Sequence, residues 1–104
     1  MAENKIFGLL GLAEKAGRVA SGGFAAEKAV TGGKAYLVIL AEDAGKNTTE
    51  LFENKCSYYK VPMRVLGDKD SIGHALGKGE RSCLAVTDEG FAKSLLKLID
   101  VSIS

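Results

Sequence analysis

The sequence has little cysteine, little histidine and no long apolar run, and each scarcity excludes a class of protein. Cys56 and Cys83 lie far apart without metal-ligand spacing, and with the single histidine they are too few for the four N/S ligands of a structural zinc site. We therefore expect two reduced thiols and no metal or other cofactor. No apolar run approaches the roughly 20 residues of a membrane span, and the first residues lack a secretory signal pattern. These absences predict a cytoplasmic protein without a membrane partner.

The chain also lacks an excess of either charge. It carries 14 basic and 13 acidic side chains, for a net charge of +1. Any interaction with nucleic acid must therefore depend on a local arrangement of charges. The first 34 residues hold five basic and three acidic side chains, which is the largest local excess that we find.

Helix and strand patterns alternate along all 104 residues. Tyr36–Ala41 is a nearly unbroken apolar run that predicts the central strand, and Ser82–Val86 is the last predicted strand. Their compositions are typical of strands covered on both faces. Shorter strands are predicted at 18–20 and at 63–66, the latter directly after Pro62, which permits only the start of a strand or an edge position. Apolar residues at helical spacing predict five helices around these strands. The predicted fold class is α/β, a three-layer α/β/α sandwich with a four-stranded mixed sheet, in one domain over residues 1–104.

Capping residues predict where the helices begin. The predicted caps are Asn4, Asn47 with Glu50 as a capping box, Asp68 or Ser71, and Asp88. Within the first helix, Gly8 and Gly11 each lower helix stability by roughly 1 kcal/mol relative to alanine. We interpret them as positions where a neighbouring element packs closely, with simple tolerance as the alternative.

Sequence motifs for catalysis are weak. The segment from Gly73 to Lys78 is one residue short of a phosphate-binding loop and lacks its hydroxyl residue. His74 has no nucleophile beside it in sequence, so a dyad with Cys83 would depend on the fold. The pair Glu42 and Asp43 follows the predicted central strand and is equally explained as a solvated turn. We predict that the chain is not an enzyme.

Ser21-Gly22-Gly23 leads into the second predicted helix, and Lys28 lies in that helix's second turn. A glycine-led helix start exposes backbone N–H groups at a positive helix end, which favours phosphate binding. The alternative is a flexible turn followed by a surface lysine. A second basic segment, Gly77–Arg81, precedes the last predicted strand and could meet Lys28 at the same sheet edge.

The whole pattern resembles the ribosomal L-seven-Ae and L-thirty-e proteins, particularly the small bacterial members of that family. The likeness covers nearly the entire chain. Seven segments carry it: Leu10–Ala13, Arg18–Gly22, Lys28–Val30, Gly33–Asp43, Cys56–Pro62, Ile72–Lys78 and Ala85–Ala92.

The resemblance implies a non-enzymatic protein that binds kink-turn or similarly bent RNA and associates with the ribosome. In that family, the helix after the glycine turn enters the widened major groove of the kink. Gly22 matches the family's glycine and Lys28 its backbone-binding lysine, while the loop 78–81 matches a second contact loop that covers an extruded nucleotide. The RNA-binding residues expected on this basis are Gly22, Gly23, Phe24, Lys28, Lys78, Gly79 and Arg81.

The sequence departs from the family at Phe24 and Ala25. RNA-reading members have Asn or Lys followed by Glu or Gln at these positions, whereas neither residue here offers a side-chain donor or acceptor for a base edge. Phe24 could stack on an unpaired base. We favour instead a place for Phe24 in the core beneath its helix, from its helical spacing to other residues.

An alternative function is a protein-interaction module on the same fold. In it, Gly23, Phe24 and the loop 77–81 would dock a ribosomal or RNA-processing protein. The expected partners are therefore structured RNA and ribosomal proteins, and the expected state is a monomer. An enzyme using Glu42, Asp43 or His74 is favoured only if the fold joins them in a closed pocket.

Overall fold

The structure, a computed structural model, describes the backbone of residues 2–103 and the side chains of residues 4–101. Five helices alternate with four strands in this part of the chain. They are α1 (Ala2–Lys15), β1 (Val19–Ser21), α2 (Gly23–Thr31), β2 (Leu37–Leu40), α3 (Lys46–Tyr59), β3 (Met63–Val65), α4 (Lys69–Ala75), β4 (Cys83–Val86) and α5 (Glu89–Ile103). None of these helices is both long and apolar enough to cross a membrane.

The four strands form one mixed sheet in the order β1-β4-β2-β3. β4 pairs antiparallel with β1 and with β2, whereas β2 pairs parallel with β3. Pro62 directly precedes β3, and β3 lies at the edge of the sheet, so both positions that the sequence allowed for this proline apply. The carbonyl of Pro62 accepts a hydrogen bond from the Val38 amide at 2.9 Å. Because β4 runs antiparallel to β1 and β2, its N-terminus lies beside the C-termini of those two strands.

Helices cover both faces of the sheet, which confirms the three-layer prediction. All residues of β2 and β4 are buried, and alternate side chains enter opposite cores. Leu37 and Leu84 face one core with α1, α4 and α5. Val38 and Ala85 face the other with α2 and α3.

Both cysteines are buried in the core beneath α2 and α3, and neither forms a disulfide. Burial raises the pKa of the Cys56 thiol to about 11. It also raises the pKa of the Cys83 thiol. Both thiols are therefore protonated at neutral pH.

The caps predicted for the first and third helices are wrong, whereas Asp68 and Asp88 do cap α4 and α5. α1 already begins at Ala2, so Asn4 lies inside it. The Asn47 capping box fails because Gly45 adopts φ 95° and ψ 156° and begins α3 without a side-chain cap. A glycine in that backbone conformation turns the chain into the helix two residues before the predicted position.

The surroundings of Gly11 and Gly8 differ, although the sequence suggested close packing at both. A Cβ at Gly11 would lie 3.1 Å from the Ala75 carbonyl oxygen, so α1 and α4 approach closely there. At Gly8 no atom lies within 4 Å of the same position, and the close-packing interpretation is wrong for this residue.

Acid should weaken the start of α4. The Asp68 carboxylate accepts a 2.7 Å hydrogen bond from the Ser71 amide, and this bond holds the Asp68 pKa below its ordinary value of 3.8. A carboxylate with a lower pKa in the folded state stabilises the protein above its unfolded-state pKa and loses that contribution as the pH falls. We expect the free energy of unfolding, measured by urea denaturation, to drop as the pH is lowered through 3.8.

The variant Asp68→Asn isolates this effect because it keeps an acceptor oxygen but does not titrate. Its free energy of unfolding should fall less in acid than that of the wild type, since residue 68 no longer titrates while the other carboxylates are unchanged. Parallel curves for the two proteins would contradict the assignment.

Candidate nucleic-acid interface

The turn between β1 and α2 is built on Gly22. This residue adopts φ 94° and ψ 160°, a region that is essentially restricted to glycine. Its amide donates to the Cys83 carbonyl at 2.9 Å, and its carbonyl accepts from the Ala26 amide at 2.9 Å. Gly22 therefore connects the sheet directly to the first turn of α2.

The start of α2 presents backbone amides without a side-chain cap. The Ala26 amide makes the first bond within the helix, so the amides of Gly23, Phe24 and Ala25 precede the helical ladder. No described side chain caps them, and the first turn holds no acidic residue. The positive end of the helix dipole is therefore not neutralised within the helix.

Arg81 links the second predicted segment to this turn. Its Nε donates to the Ser21 hydroxyl at 3.3 Å, and its Nη1 donates to the carbonyls of Gly79 and Glu80 at 3.2 and 2.9 Å. The half-buried guanidinium thus orders the loop 77–81 and places a positive charge beside the start of α2.

A shallow hollow of about 440 Å³ lies between the turn and the loop. It is lined by Ser21, Gly22, Gly23, Phe24, Ala25, Glu80, Arg81 and Ser82. Glu80 and Arg81 are the two charged residues in this lining, so the side chains lining the hollow carry no net charge. The helix end and Lys28, which is exposed one turn further along α2, supply the positive potential.

The loop 77–81 packs against α4 at Gly73. The Gly73 carbonyl accepts from the Lys78 amide at 2.8 Å, and the Lys69 carbonyl accepts from the Arg81 amide at 3.1 Å. A Cβ at Gly73 would overlap the carbonyl oxygen of Gly79. Only glycine lets α4 and the loop approach this closely.

Phe24 is not a core residue, so the favoured sequence interpretation is wrong. Its side chain is 83% exposed. α2 instead packs on the sheet through Ala26, Ala29 and Val30, and this contact turns Phe24 away from the core. The ring lies on the surface, at the border between the hollow beside Arg81 and a second one beside Lys28.

The basic residues do not all converge on the turn. Lys78 Nζ lies 3.7 Å from the Glu14 Oε1 of α1, so this cation is paired with a different element. Lys28 shares the second hollow with Phe24 and Lys34. We call the surface formed by Arg81, Lys28 and the first amides of α2 the rim. Lys78 lies at its side.

The residues considered for catalysis are separated. His74 is exposed on α4, whereas Cys83 is fully buried in the core under α2 and α3, across the sheet. Asp43 accepts a 2.9 Å hydrogen bond from the Lys69 amide, which gives it a structural role. Among the described residues, no three His, Cys, Asp or Glu side chains could hold a metal ion together.

Three residues that shape the rim are not among the RNA-binding residues expected from the sequence. Ser21 accepts from Arg81, Lys34 lines the second hollow, and Gly73 supports the loop. For Gly73 a signal existed, because a glycine inside a short helix is costly unless another backbone approaches it.

The fold is a small α/β sandwich in which a glycine-led helix begins beside the last strand. Residues 4–96 match the Ribosomal protein L7Ae/L30e/S12e/Gadd45 family, and the chain belongs to this family. The resemblance seen in the sequence is thereby confirmed.

Two bacterial relatives carry the name RNA-binding protein YlxQ. The protein from Bacillus subtilis (strain 168) is 44% identical over 94 residues, which cover 90% of this chain and 94% of the relative. The protein from Enterococcus faecium is 35% identical over 96 residues, covering 92% of each.

Two solved structures share the fold. A protein of unknown function from Bacillus halodurans superposes with a TM-score of 0.90 at 42% identity, covering 92% of this chain and 97% of that one. A Giardia lamblia 15.5kD RNA binding protein superposes with a TM-score of 0.78 at 20% identity, covering 95% and 85%. At that identity the second similarity concerns the fold alone.

Proposed function

We propose that this chain is a non-enzymatic, cytoplasmic RNA-binding protein, a single domain over residues 1–104, which recognises kink-turn or similarly bent RNA in association with the ribosome. The observation that carries this proposal is the uncapped start of α2, which Gly22 attaches to the sheet directly beside Arg81. The names of the YlxQ relatives support RNA as the ligand.

The chemistry of the rim suits the backbone of a bent RNA. A phosphate can accept hydrogen bonds from the amides at the start of α2, where the helix dipole favours negative charge. Arg81 and Lys28 line two hollows that share Phe24 and Ala25. A sharp bend brings phosphates of neighbouring strands close together. With so few cations beside the start of α2, a nearly neutral protein would gain little binding free energy from a straight duplex, whose phosphates are spread along its axis.

A binding assay with two RNA duplexes tests the proposal. One duplex contains a kink-turn, and in the other its sheared G·A pairs are replaced by Watson–Crick pairs, so that length and charge are unchanged. We expect gel shifts to show clearly tighter binding to the kink-turn duplex. Equal, weak binding to both would contradict recognition of bent RNA.

Lys28→Ala should weaken binding to the kink-turn duplex by about 1 to 3 kcal/mol, the range for a charge-assisted hydrogen bond. The matched control is Lys97→Ala, which removes the same charge from an exposed position on α5, beyond the opposite face of the sheet. Its affinity should stay close to that of the wild type. Equal losses in the two variants would show that only net charge matters.

The exposed ring of Phe24 also favours a second candidate, a protein-interaction module for a ribosomal or RNA-processing protein. Salt distinguishes the two functions. Binding through several phosphates must weaken steeply as the salt concentration rises, whereas an apolar protein contact should not. We expect the steep dependence with the kink-turn duplex and a monomer in sedimentation.

A further inference from the structure

The second hollow on this rim, which we call the Phe24 hollow, joins an exposed aromatic ring to two cations. It measures about 450 Å³ and is lined by Ala20, Phe24, Ala25, Lys28, Ala29, Gly32, Lys34 and Thr87. Its walls include small apolar side chains and two lysines but no acidic residue. This differs from the hollow beside Arg81, which Glu80 partly neutralises.

The exposed ring of Phe24 does not belong to either hydrophobic core. With 83% of its surface in water, it contributes little to the core. An aromatic ring beside lysines is the combination that binds unpaired nucleotides, because the base stacks on the ring while the phosphate meets the cations. Since a phenyl ring offers no donor or acceptor, such a contact depends little on the identity of the base.

We propose that the Phe24 hollow takes one unpaired nucleotide of the bound RNA, with the base stacked on Phe24 and the phosphate against Lys28 and Lys34. This inference rests on the proposed function and specifies its ligand. Phe24 and Ala25 line both hollows, so an RNA strand held at the start of α2 reaches the Phe24 hollow with its next nucleotides. The charge of the hollow also complements a phosphate.

Stacking would then replace base-edge reading at the start of α2. An asparagine or glutamate in this place can distinguish bases by hydrogen bonds, whereas Phe24 and Ala25 recognise only that a base is free to stack. The chain would thus detect the unpaired nucleotide of a kink rather than the edges of its base pairs.

The test combines protein variants with matched RNA probes. Phe24→Leu keeps an apolar side chain but removes the ring, and Phe24→Trp keeps a stacking surface. Both should fold, since the position is exposed. The probes are the kink-turn duplex with its three unpaired bulge nucleotides intact and three versions in which one of these nucleotides is abasic.

For the wild type, we expect one abasic probe to bind about 5- to 150-fold more weakly than the intact duplex, the loss expected for one stacked base. Phe24→Leu should bind the intact duplex with a similar loss and should no longer distinguish that abasic probe from it. Phe24→Trp should behave like the wild type. Lys34→Ala should weaken binding to the intact duplex.

Two results would contradict the binding of a nucleotide in the Phe24 hollow while leaving the proposed function intact. In one, Phe24→Leu binds every probe as the wild type does. In the other, it loses affinity equally for intact and abasic probes, which would place the ring against the duplex or against another partner. If the wild type does not distinguish the kink-turn duplex from its Watson–Crick version, the proposed function itself fails, and this inference with it.

Discussion

Replacing Gly22 with alanine is expected to lower the affinity for kink-turn RNA by at least about tenfold and the free energy of unfolding by about 1 to 3 kcal/mol. The cause is the backbone, since φ 94° and ψ 160° are unfavourable for any residue with a Cβ. No atom lies within 4 Å of that Cβ, so a clash would not contribute. The turn would relax and shift the amides of α2 away from Arg81.

Gly45 provides a closely matched control for this experiment. It also precedes a helix without a side-chain cap, and its φ 95° and ψ 156° are almost those of Gly22. Gly45→Ala should therefore cause a similar loss of stability in urea denaturation but leave the affinity for kink-turn RNA within about twofold of the wild type. If both variants lose affinity equally, the special role of the Gly22 turn is wrong.

Gly73→Ala is expected to have the largest effect on the fold near the rim. The new methyl group would overlap the Gly79 carbonyl oxygen and lie 2.7 Å from its carbonyl carbon. Since both contacts are with backbone, α4 and the loop 77–81 must move apart, at a cost of about 1 to 3 kcal/mol of stability. The movement should also weaken RNA binding, because Arg81 moves with the loop.

Gly8→Ala is the control for the effect of alanine in a helix. At Gly8 the position is open, so the substitution should raise the free energy of unfolding by about 0.5 to 1 kcal/mol and leave RNA affinity unchanged. A neutral or stabilising Gly73→Ala variant would show that the loop does not depend on its contact with α4.

The central strands were predictable because a strand buried on both faces has apolar residues at successive positions. Leu37–Leu40 and Cys83–Val86 are apolar at every position, and each is covered by helices on both sides. The alternation of these strands with amphipathic helices indicated three layers. Because Pro62 lacks an amide hydrogen, it indicated the start of a strand or an edge position.

The start of α3 shows where such reasoning is insufficient. Asn47 and Glu50 have the spacing of a capping box, but the backbone of Gly45 begins the helix earlier. Side-chain patterns describe caps made by side chains. They do not describe a turn made by a glycine backbone.

The surface position of Phe24 depends on tertiary packing. α2 carries apolar residues around more than one side, so its periodicity does not decide which side meets the sheet. Contacts of Ala26, Ala29 and Val30 with the sheet decide it, and they leave Phe24 exposed. The approach of Arg81 to Ser21 joins residues 60 positions apart and likewise has no local signal.

The most direct test of the account is a map of backbone amide shifts of the ¹⁵N-labelled protein on addition of the kink-turn duplex. We predict that the largest changes lie at Gly22 to Lys28 and at the loop 77–81, and that the Watson–Crick duplex leaves these amides nearly unchanged. Changes concentrated on α5 or on the β3 edge, with the start of α2 unaffected, would contradict it.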